Sequence, residues 1–266
     1  MQVTFWGTRG SIPCAAPEYQ VYGGHTSCVE ITIGDSRFIF DAGTGIVPLG
    51  KSIIQQNIPN VSLLISHLHF DHIIGLPFFA PLWQKNMKFD IYGHNLESFF
   101  SKHMCPPLFP VDVLSEAQAS VRLHQLMTPE TISTTSGTEI KTLALNHPGG
   151  ATGFRIENAG KSVCYITDTE HVIGQHDQKI IDFVAGTDLL IYDAMYTEYQ
   201  LRTKIGWGHS TWEEGLYIAK AANVKKYTAF HHNPDHDDHI MAGIDQQLVT
   251  AGNGYSVAKQ GETLVV

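Results

Sequence analysis

The feature that most constrains the fold is a dense run of histidine and aspartate immediately after an apolar strand. The run is ISHLHFDHIIGLP, residues 65–77. Residues two apart in an extended segment point the same way, so His67 and His69 can bind one ion. Asp71 and His72 begin a turn and point elsewhere, which directs them to a second ion. One loop therefore predicts ligands for two neighbouring metals, and its imidazole and carboxylate groups suit Zn²⁺, Mn²⁺, Fe²⁺ or Co²⁺.

Two ions need more ligands, and three candidates lie at the ends of other apolar strands. His147 follows a strand in ALNHPGGATGF, Asp168 ends one in VCYITDTE, and His231 follows KKYTAF. Each residue alone would ordinarily be a surface group or a cap, but the combination favours a shared site. A bridging carboxylate suits two ions about 3.5 to 4 Å apart. The predicted ligands are His67, His69 and His147 for the first ion, Asp71, His72 and His231 for the second, and Asp168 for both.

Many short apolar strands with a few helices set between them predict an α/β fold of four layers, an αββα sandwich. No repeat, low-complexity tract or composition break indicates a linker, so residues 1–266 are predicted to form a single hydrolase domain. Thr44 is the expected N-cap of the first helix, and Ser210 opens a capping box before a later one. Strands are predicted at residues 3–6, 28–33, 37–40, 61–65, 139–145, 154–157, 162–166, 189–192, 227–230, 255–259 and 263–266, and helices near residues 44–56, 74–76, 210–222 and 237–250.

Composition argues against several classes of partner. The formal net charge of −9 disfavours loose binding to nucleic acid or to an anionic membrane, so no stable nucleic-acid partner is expected. No run approaches the roughly 18 to 20 uncharged apolar residues that span a bilayer. Cys14, Cys28, Cys105 and Cys164 are scattered without a CxxC pair. The chain is therefore expected to be a reduced, cytoplasmic protein without a membrane partner.

The motifs HLHFDH, His147, Asp168 and His231, in that order, resemble the metallo-β-lactamase superfamily across nearly the whole chain. Within it, HLHFDHIIGLP and the GHST before a helix are similar to the phosphodiesterase branch, which contains tRNA 3′-processing endonucleases and phosphoribosyl cyclic phosphodiesterases. The resemblance implies an αββα fold, a dinuclear centre, a metal-bound hydroxide nucleophile and a homodimer. Zn²⁺ is the expected ion, with Mn²⁺ or Fe²⁺ as alternatives. Flavin-linked diiron relatives are disfavoured, because they have Glu at the position of His69.

The segment GHSTWEEG, residues 208–215, places a histidine just before a helix. A helix N-terminus attracts phosphate and a histidine there can donate a proton; the plainer alternative is an exposed residue beside an ordinary cap. In the resembling phosphodiesterases a histidine here contacts the scissile phosphate, which gives His209 that role. Asp193, in IYDAMY, is predicted to orient it, with a strand-end cap as the alternative. Asp71, His209 and Asp193 are thus the predicted catalytic residues.

Isolated basic residues are weaker candidates for holding an anionic substrate. Arg202 and Lys204 precede His209 and are assigned to substrate binding, as is His209 itself. Arg9, in GTRGSIP, is a further candidate, although such residues are more often solvated. The family usually has Asn where this chain has His25, so the resemblance assigns no role to that position.

The segment FHHNPDHDDH, residues 230–239, contains four histidines but supplies one predicted ligand, His231. His232 and His236 are assigned to the substrate mouth, with a solvated loop as the alternative. An aspartate at the start of the next helix is expected to be its cap. The two candidates for that cap are Asp237 and Asp238.

The expected reaction is hydrolysis of a small cyclic phosphodiester, either a cyclic mononucleotide or a phosphoribosyl cyclic phosphate, by a hydroxide that bridges the two metals. A tRNA endonuclease needs a large electropositive surface, whereas this chain carries a charge of −9 and lacks a basic insertion rich in Gly and Pro. The alternatives are a tRNA 3′-end processing endonuclease, a thiolester or lactam hydrolase, and a non-catalytic cyclic-phosphate binding module.

Overall fold

The computed structural model describes residues 1–134 and 136–266, and the strands within these ranges form two sheets of seven. The predicted strands are present, with ends that differ by at most three residues. In chain order the strands are β1 (Gln2–Gly7), β2 (Cys28–Ile33), β3 (Ser36–Phe40), β4 (Asn60–Leu64), β5 (Lys88–Gly93), β6 (Ser120–Gln125), β7 (Thr131–Ser133), β8 (Glu139–Leu145), β9 (Ala151–Asn158), β10 (Lys161–Ile166), β11 (Leu189–Asp193), β12 (Lys226–Phe230), β13 (Tyr255–Val257) and β14 (Thr263–Val265).

Each sheet has an antiparallel half and a parallel half. The first sheet has the order β14-β1-β2-β3-β4-β5-β6, and its pairs from β3 to β6 are parallel. The second has the order β13-β12-β11-β10-β9-β8-β7, and its pairs from β10 to β13 are parallel. The carboxyl ends of parallel strands meet at one edge of a sheet, which is where α/β proteins build their sites.

Helices cover the outer faces of both sheets. Apolar residues of α1 pack on the first sheet, while α5, α7 and α8 pack on the second. The helices are α1 (Ile46–Gln55), α2 (Phe70–Ile73), α3 (Leu96–His103), α4 (Val113–Glu116), α5 (Gln178–Val184), α6 (Glu198–Leu201), α7 (Trp212–Ala221) and α8 (Asp238–Ala251), with short 3₁₀ turns at Pro17–Tyr19, Leu76–Phe78 and Ala80–Trp83.

The layer between the sheets is a buried apolar core to which both contribute. Phe40 of β3 stacks on Tyr165 of β10, with ring centroids 5.2 Å apart, and Phe154 of β9 packs on the same ring of Phe40. Strand β11 is buried along its whole length, because one face meets this core and the other meets the helices. The predicted αββα sandwich is confirmed.

Helix caps differ from the sequence prediction at two of three helices. Thr44 does not cap α1; its hydroxyl accepts from the backbone N–H of Thr26 instead. The cap of α7 is Thr211, which accepts from the N–H of Glu214, so the capping residue lies one position after the predicted Ser210. Asp237, one of the two predicted candidates, caps α8 by accepting from the N–H of Ile240. A run of adjacent hydroxyl residues indicates that a helix begins but not which hydroxyl caps it.

The helix predicted through Ile74 and Leu76 is broken into two short pieces. α2 ends at Ile73, and a 3₁₀ turn begins at Leu76, because Pro77 cannot donate a backbone hydrogen bond. Within residues 1–134 and 136–266, no helix is both long enough and apolar enough to cross a bilayer.

Candidate metal centre

The structure brings His67, His69 and His147 together at the edge where β4 and β8 end. One ring nitrogen of each lies within 4.8 Å of the others. The Nε2 of His147 is 3.0 Å from the Nδ1 of His69. His67 and His147 are buried, whereas His69 is exposed, so this triad opens to solvent.

A second, deeper triad consists of Asp71, His72 and His231. The Nε2 atoms of His72 and His231 are 3.2 Å apart, and the Oδ2 of Asp71 is 3.1 Å from the Nε2 of His231. Asp71 and His72 lie on α2, the single helical turn that follows the extended His67–His69 segment. The change from extended to helical backbone therefore separates the two sets of side chains, as the spacing predicts.

Asp168 lies between the triads and directs one carboxylate oxygen toward each. Its Oδ2 is 3.1 Å from the Nε2 of His72 and 3.3 Å from that of His231. Its Oδ1 is 3.7 Å from the Nε2 of His67 and 3.8 Å from that of His147. This is the arrangement that a carboxylate shared by two ions requires.

The donor set fits divalent cations. Burial, together with neighbouring His72, lowers the pKa of His67 well below its usual range, so its ring is neutral at physiological pH. Among the described residues the buried Nε2 of His67 has no hydrogen-bond partner, and such an orphaned lone pair is costly unless a cation uses it. Imidazole and carboxylate donors suit Zn²⁺, Mn²⁺ or Fe²⁺ and do not choose among them.

His72 is held by Asp41, which the sequence indicates only as a polar residue at the end of β3. The Oδ2 of Asp41 is 2.8 Å from the Nδ1 of His72 and accepts from the Tyr165 hydroxyl at 2.8 Å. The N–H and hydroxyl of Ser66 donate to the same carboxylate. With Nδ1 bound to Asp41, the Nε2 of His72 is fixed toward the cluster, which consists of the two triads and Asp168.

Left-handed backbone conformations occur at Asp41 and at the candidate ligands Asp168 and His231. The φ angles are 61° at Asp41, 55° at Asp168 and 63° at His231. These conformations are unfavourable for residues with a Cβ and cost about 1 kcal/mol or more each. All three follow strands whose burial fixes the preceding backbone, so the turn swings each side chain toward the cluster. Gly10 lies against the ring of His231, and any side chain there would collide with it.

His209 lies beside the cluster and is bound to Asp193. The Nδ1 of His209 is 2.9 Å from the Oδ2 of Asp193, whose Oδ1 accepts from the N–H of Ser210. Burial by itself lowers the pKa of His209, but the Asp193 carboxylate overcomes this effect and raises the pKa to about 9. The ring stacks on His231, with centroids 5.0 Å apart. The structure thus joins His209 to Asp193, as predicted from the sequence, and the Nε2 of His209 makes no hydrogen bond among the described residues.

Glu170 is a residue of this region that sequence analysis did not identify. Its carboxylate accepts from the N–H of Gly206 at 2.9 Å and from the N–H of Gly208 at 2.8 Å. The carbonyl of Gly208 in turn accepts from the Nδ1 of His147 at 2.7 Å. Glu170 follows Asp168 by two residues, so it ties the loop before His209 to two parts of the cluster. Sequence offers little signal for this role, because an acidic residue in a loop is ordinarily solvated.

The assignments of His232 and His236 to the substrate mouth are wrong. His232 is fully buried, and its Nε2 donates to the carbonyl of Ala258 at 2.8 Å. Burial and the adjacent Arg9 cation lower the pKa of His232 to about 3. His236 is also buried, and its Nε2 is bonded to the side chain of Gln200. Neither the mouth nor the solvated loop describes these two side chains.

Arg9 is likewise not available to a substrate. Its guanidinium is fully buried and donates to the carbonyls of Gly23, Asn233 and His236 at 2.8 Å each. It therefore fastens the segment after His231 to the N-terminal loop. An arginine can satisfy several carbonyls at once because it carries five N–H donors.

Arg202 and Lys204, the remaining predicted substrate contacts, lie outside the cluster. Arg202 is exposed, and the ammonium of Lys204 lies 4.1 Å from the ring centroid of the exposed Trp207. Among the described residues no hydrogen bond or ion pair joins either basic side chain to the two triads. The Nδ1 of His25 is 3.1 Å from the hydroxyl of Thr44, a local contact.

Comparisons with known proteins match most of the chain to one family model. The model of the β-lactamase superfamily domain matches residues 36–232. The chain is 22% identical to a Ribonuclease Z of Archaeoglobus fulgidus over 279 residues, covering 86% of each chain. It is 24% identical to a Ribonuclease Z of Metallosphaera sedula over 271 residues, covering 87% of this chain and 88% of that one.

Solved structures share the fold at low identity. The metallo-β-lactamase fold protein YhfI from Bacillus subtilis superposes with a TM-score of 0.75 at 21% identity, over 99% of this chain and 98% of that one. The short form of human tRNase Z gives 0.72 at 20% identity, over 100% and 99%. A diphosphatase of the PhnP family gives 0.73 at 18% identity, over 100% and 97%.

Proposed function

This chain belongs to the β-lactamase superfamily and is a metal-dependent phosphodiester hydrolase of its phosphodiesterase branch, and from that premise we propose that it cleaves an RNA phosphodiester near a 3′ end. The observation that carries the chemistry is the pair of triads that share Asp168, with His209 held beside them by Asp193. His67, His69 and His147 would hold one ion, Asp71, His72 and His231 the other, and Asp168 both.

The ions and the histidine have complementary roles in this proposal. Two divalent ions bound there would draw charge from the phosphate oxygens and lower the pKa of the attacking water. His209 supplies the acid: as the phosphorus–oxygen bond breaks, its Nε2 gives a proton to the departing alkoxide. Asp193 accepts the hydrogen bond from Nδ1, so it keeps the ring oriented and stabilises its protonated form.

The substrate assignment follows the relatives. Proteins named Ribonuclease Z match most of this chain, and they favour RNA over the small cyclic phosphodiester that the sequence alone predicts. A cyclic mononucleotide or phosphoribosyl cyclic phosphate is the second candidate, because the net charge of −9 and the lack of a basic insertion favour a compact substrate. Thiolester and lactam hydrolysis would make no evident use of His209.

A substrate panel with metal-reconstituted protein tests the proposal. We expect a transfer-RNA precursor with a 3′ trailer to be cut, and cyclic mononucleotides or phosphoribosyl cyclic phosphate to be hydrolysed more slowly. Preference for the cyclic esters would replace the first candidate by the second. Hydrolysis of thiolesters or lactams alone, or binding of a cyclic phosphate without turnover of any ester, would contradict phosphodiesterase activity.

Substitution of His209 separates acid catalysis from metal binding. His209→Ala should lower kcat by about 10² to 10⁴ while both ions remain, because the residue donates a proton and is not a proposed ligand. The exposed His239 provides a matched control, and His239→Ala should leave kcat and metal content unchanged. Equal kcat in the two variants would remove His209 from the mechanism.

The domain organisation and the oligomeric state of the chain are also proposals. We propose that residues 1–266 act as one domain, because the core between the sheets draws on strands from β1 to β12. A homodimer in the reduced cytoplasm remains a prediction from the family resemblance, and sedimentation of the purified chain would test the dimer.

A further inference from the structure

Two adjoining clefts, together called the groove, extend away from the open triad on the side of His67. Its first part is a cleft of about 350 Å³ lined by His67, Leu68, His94 and Asn95, among others. Its second part, about 330 Å³, shares Leu68 and Asn95 with the first and continues to Phe70 and α3. Ligand pockets begin at about 300 Å³, so each part is large enough for one nucleotide-sized group.

The groove differs in charge from the rest of the molecule. The chain carries a net charge of −9, yet no aspartate or glutamate is among the described residues that line either part. The polar groups that do line it are imidazoles, hydroxyls and the amide of Asn95, which can donate to phosphate and base edges. The negative charge that argues against nucleic acid is therefore absent from this surface.

Phe70 gives the groove an aromatic surface beside the metal ligands. It lies between His69 and Asp71 in sequence, and 73% of its surface is exposed. Because it is so exposed beside the open triad, the ring is accessible to a ligand bound in the groove. Bases of single-stranded nucleic acids stack on such rings regardless of sequence.

We propose that this groove binds the single-stranded RNA segment next to the scissile phosphate, with one base stacked on Phe70 and the adjoining nucleotide beside Asn95. The inference rests on the proposed phosphodiesterase function and names the part of the surface that recognises an extended substrate. It also accounts for how an acidic chain can take a polyanionic substrate, since the groove presents no carboxylate to the phosphates.

The test compares two substrates of the metal-loaded full chain. One is a single-stranded oligoribonucleotide, and the other is bis(p-nitrophenyl) phosphate, which has no nucleotide to extend along the groove. Phe70→Ala should raise the ratio of the KM for the oligoribonucleotide to the KM for the small ester about tenfold, and Phe70→Trp should restore it. Metal content is measured in each variant, because Phe70 adjoins two proposed ligands.

A charge substitution gives a second arm with a matched control. Asn95→Asp should raise the same KM ratio about fivefold, because it places a carboxylate in the groove. Asn57 is also exposed, and its φ of 54° is nearly that of Asn95, 55°. Asn57 precedes β4, whereas the groove lies beyond the carboxyl end of that strand. Asn57→Asp should leave the ratio unchanged. An unchanged ratio in both Phe70→Ala and Asn95→Asp would overturn the inference.

The failure of this inference is distinguishable from failure of the proposed function. Hydrolysis of the small ester without hydrolysis of the oligoribonucleotide would contradict the groove and leave phosphodiesterase activity standing. If neither substrate is hydrolysed, the proposed function fails. Binding to the groove is then tested separately, by the fluorescence anisotropy of a labelled oligoribonucleotide in EDTA. Weaker binding by Phe70→Ala and Asn95→Asp than by Asn57→Asp would support it, and equal binding would exclude it.

Discussion

Two histidine-rich segments follow parallel strands in this molecule, residues 67–72 after β4 and residues 231–239 after β12, and they use their histidines differently. In the first segment every histidine presents a ring nitrogen to the cluster. In the second, His231 does so, His232 and His236 are buried in other contacts, and His239 is exposed. Similar composition at similar positions in the fold thus gives one segment of ligands and one segment of mostly structural residues.

The difference comes from backbone conformation and from what packs behind each segment. The first segment stays extended and then enters a helical turn, so its spacing alone directs the side chains. The second turns sharply at His231, where φ is 63°, and the next residue faces inward toward Tyr22. Arg9 then holds the carbonyls of the following loop. The number of histidines in a segment therefore does not give the number of metal ligands, because the backbone conformation between them decides which rings reach the cluster.

The largest effect should follow removal of His231, the one proposed ligand in the second segment. His231→Ala should lower the metal content from two ions per chain to one and reduce kcat by about 10³-fold or more, since a bound ion stabilises the transition state by several kcal/mol. Elemental analysis of the purified protein and steady-state kinetics measure the two effects. Retention of both ions would show that this segment supplies no ligand.

The next largest effect should follow loss of the arginine behind the second segment. Arg9→Met leaves the carbonyls of Gly23, Asn233 and His236 without their donor, so it should lower the free energy of unfolding by about 3 kcal/mol or more. Urea denaturation measures this change. Arg202, which is exposed, gives the control, and Arg202→Met should stay within about 0.5 kcal/mol of the parent. Equal stability of the two variants would contradict the structural role of Arg9.

A smaller loss of stability, without loss of metal, should distinguish His232 from the adjacent ligand His231. His232→Ala should keep both ions but lower the free energy of unfolding by about 2 kcal/mol, because it removes the bond to Ala258 and leaves a cavity beside Tyr22. Chemical denaturation with a parallel metal assay checks both halves of the prediction. Loss of an ion would place His232 with the ligands and undo the contrast between the segments.

The smallest effect concerns the helix that the second segment leads into. Asp237→Ala removes the hydrogen bond to the N–H of Ile240 and should lower the free energy of unfolding by about 1 kcal/mol. Asp235 is exposed and caps no helix, so Asp235→Ala should have a smaller effect in the same urea titration. The reverse order would mean that α8 begins without help from its cap.

The sequence predicts the candidate metal ligands where a short segment or the end of one strand is enough to identify them. The spacing of His67, His69 and His72, and the positions of His147 and Asp168 after apolar strands, predict the residues that the structure brings together. The sandwich follows in the same way, because alternation between short apolar strands and few helices is a local pattern.

The remainder depends on partners far apart in the chain. Asp41 meets a histidine 31 residues away, Arg9 meets carbonyls more than 200 residues away, and Glu170 meets amides 36 and 38 residues away. Each of these residues has an ordinary local sequence, so nothing nearby distinguishes it from a solvated side chain. The predicted and observed caps differ for a simpler reason. Where two hydroxyl residues such as Ser210 and Thr211 are adjacent, only tertiary packing decides which of them caps the helix.

The left-handed residues at the strand ends make this centre a compromise between stability and preorganisation. The strands before Asp41, Asp168 and His231 fix these conformations, so the fold itself directs the three side chains toward the cluster. Glycine would adopt the same backbone without strain but carries no donor atom. Selection for thermostability alone would therefore tend to remove these residues, and a thermostabilised variant of this protein should be screened for metal loading before its melting temperature is trusted.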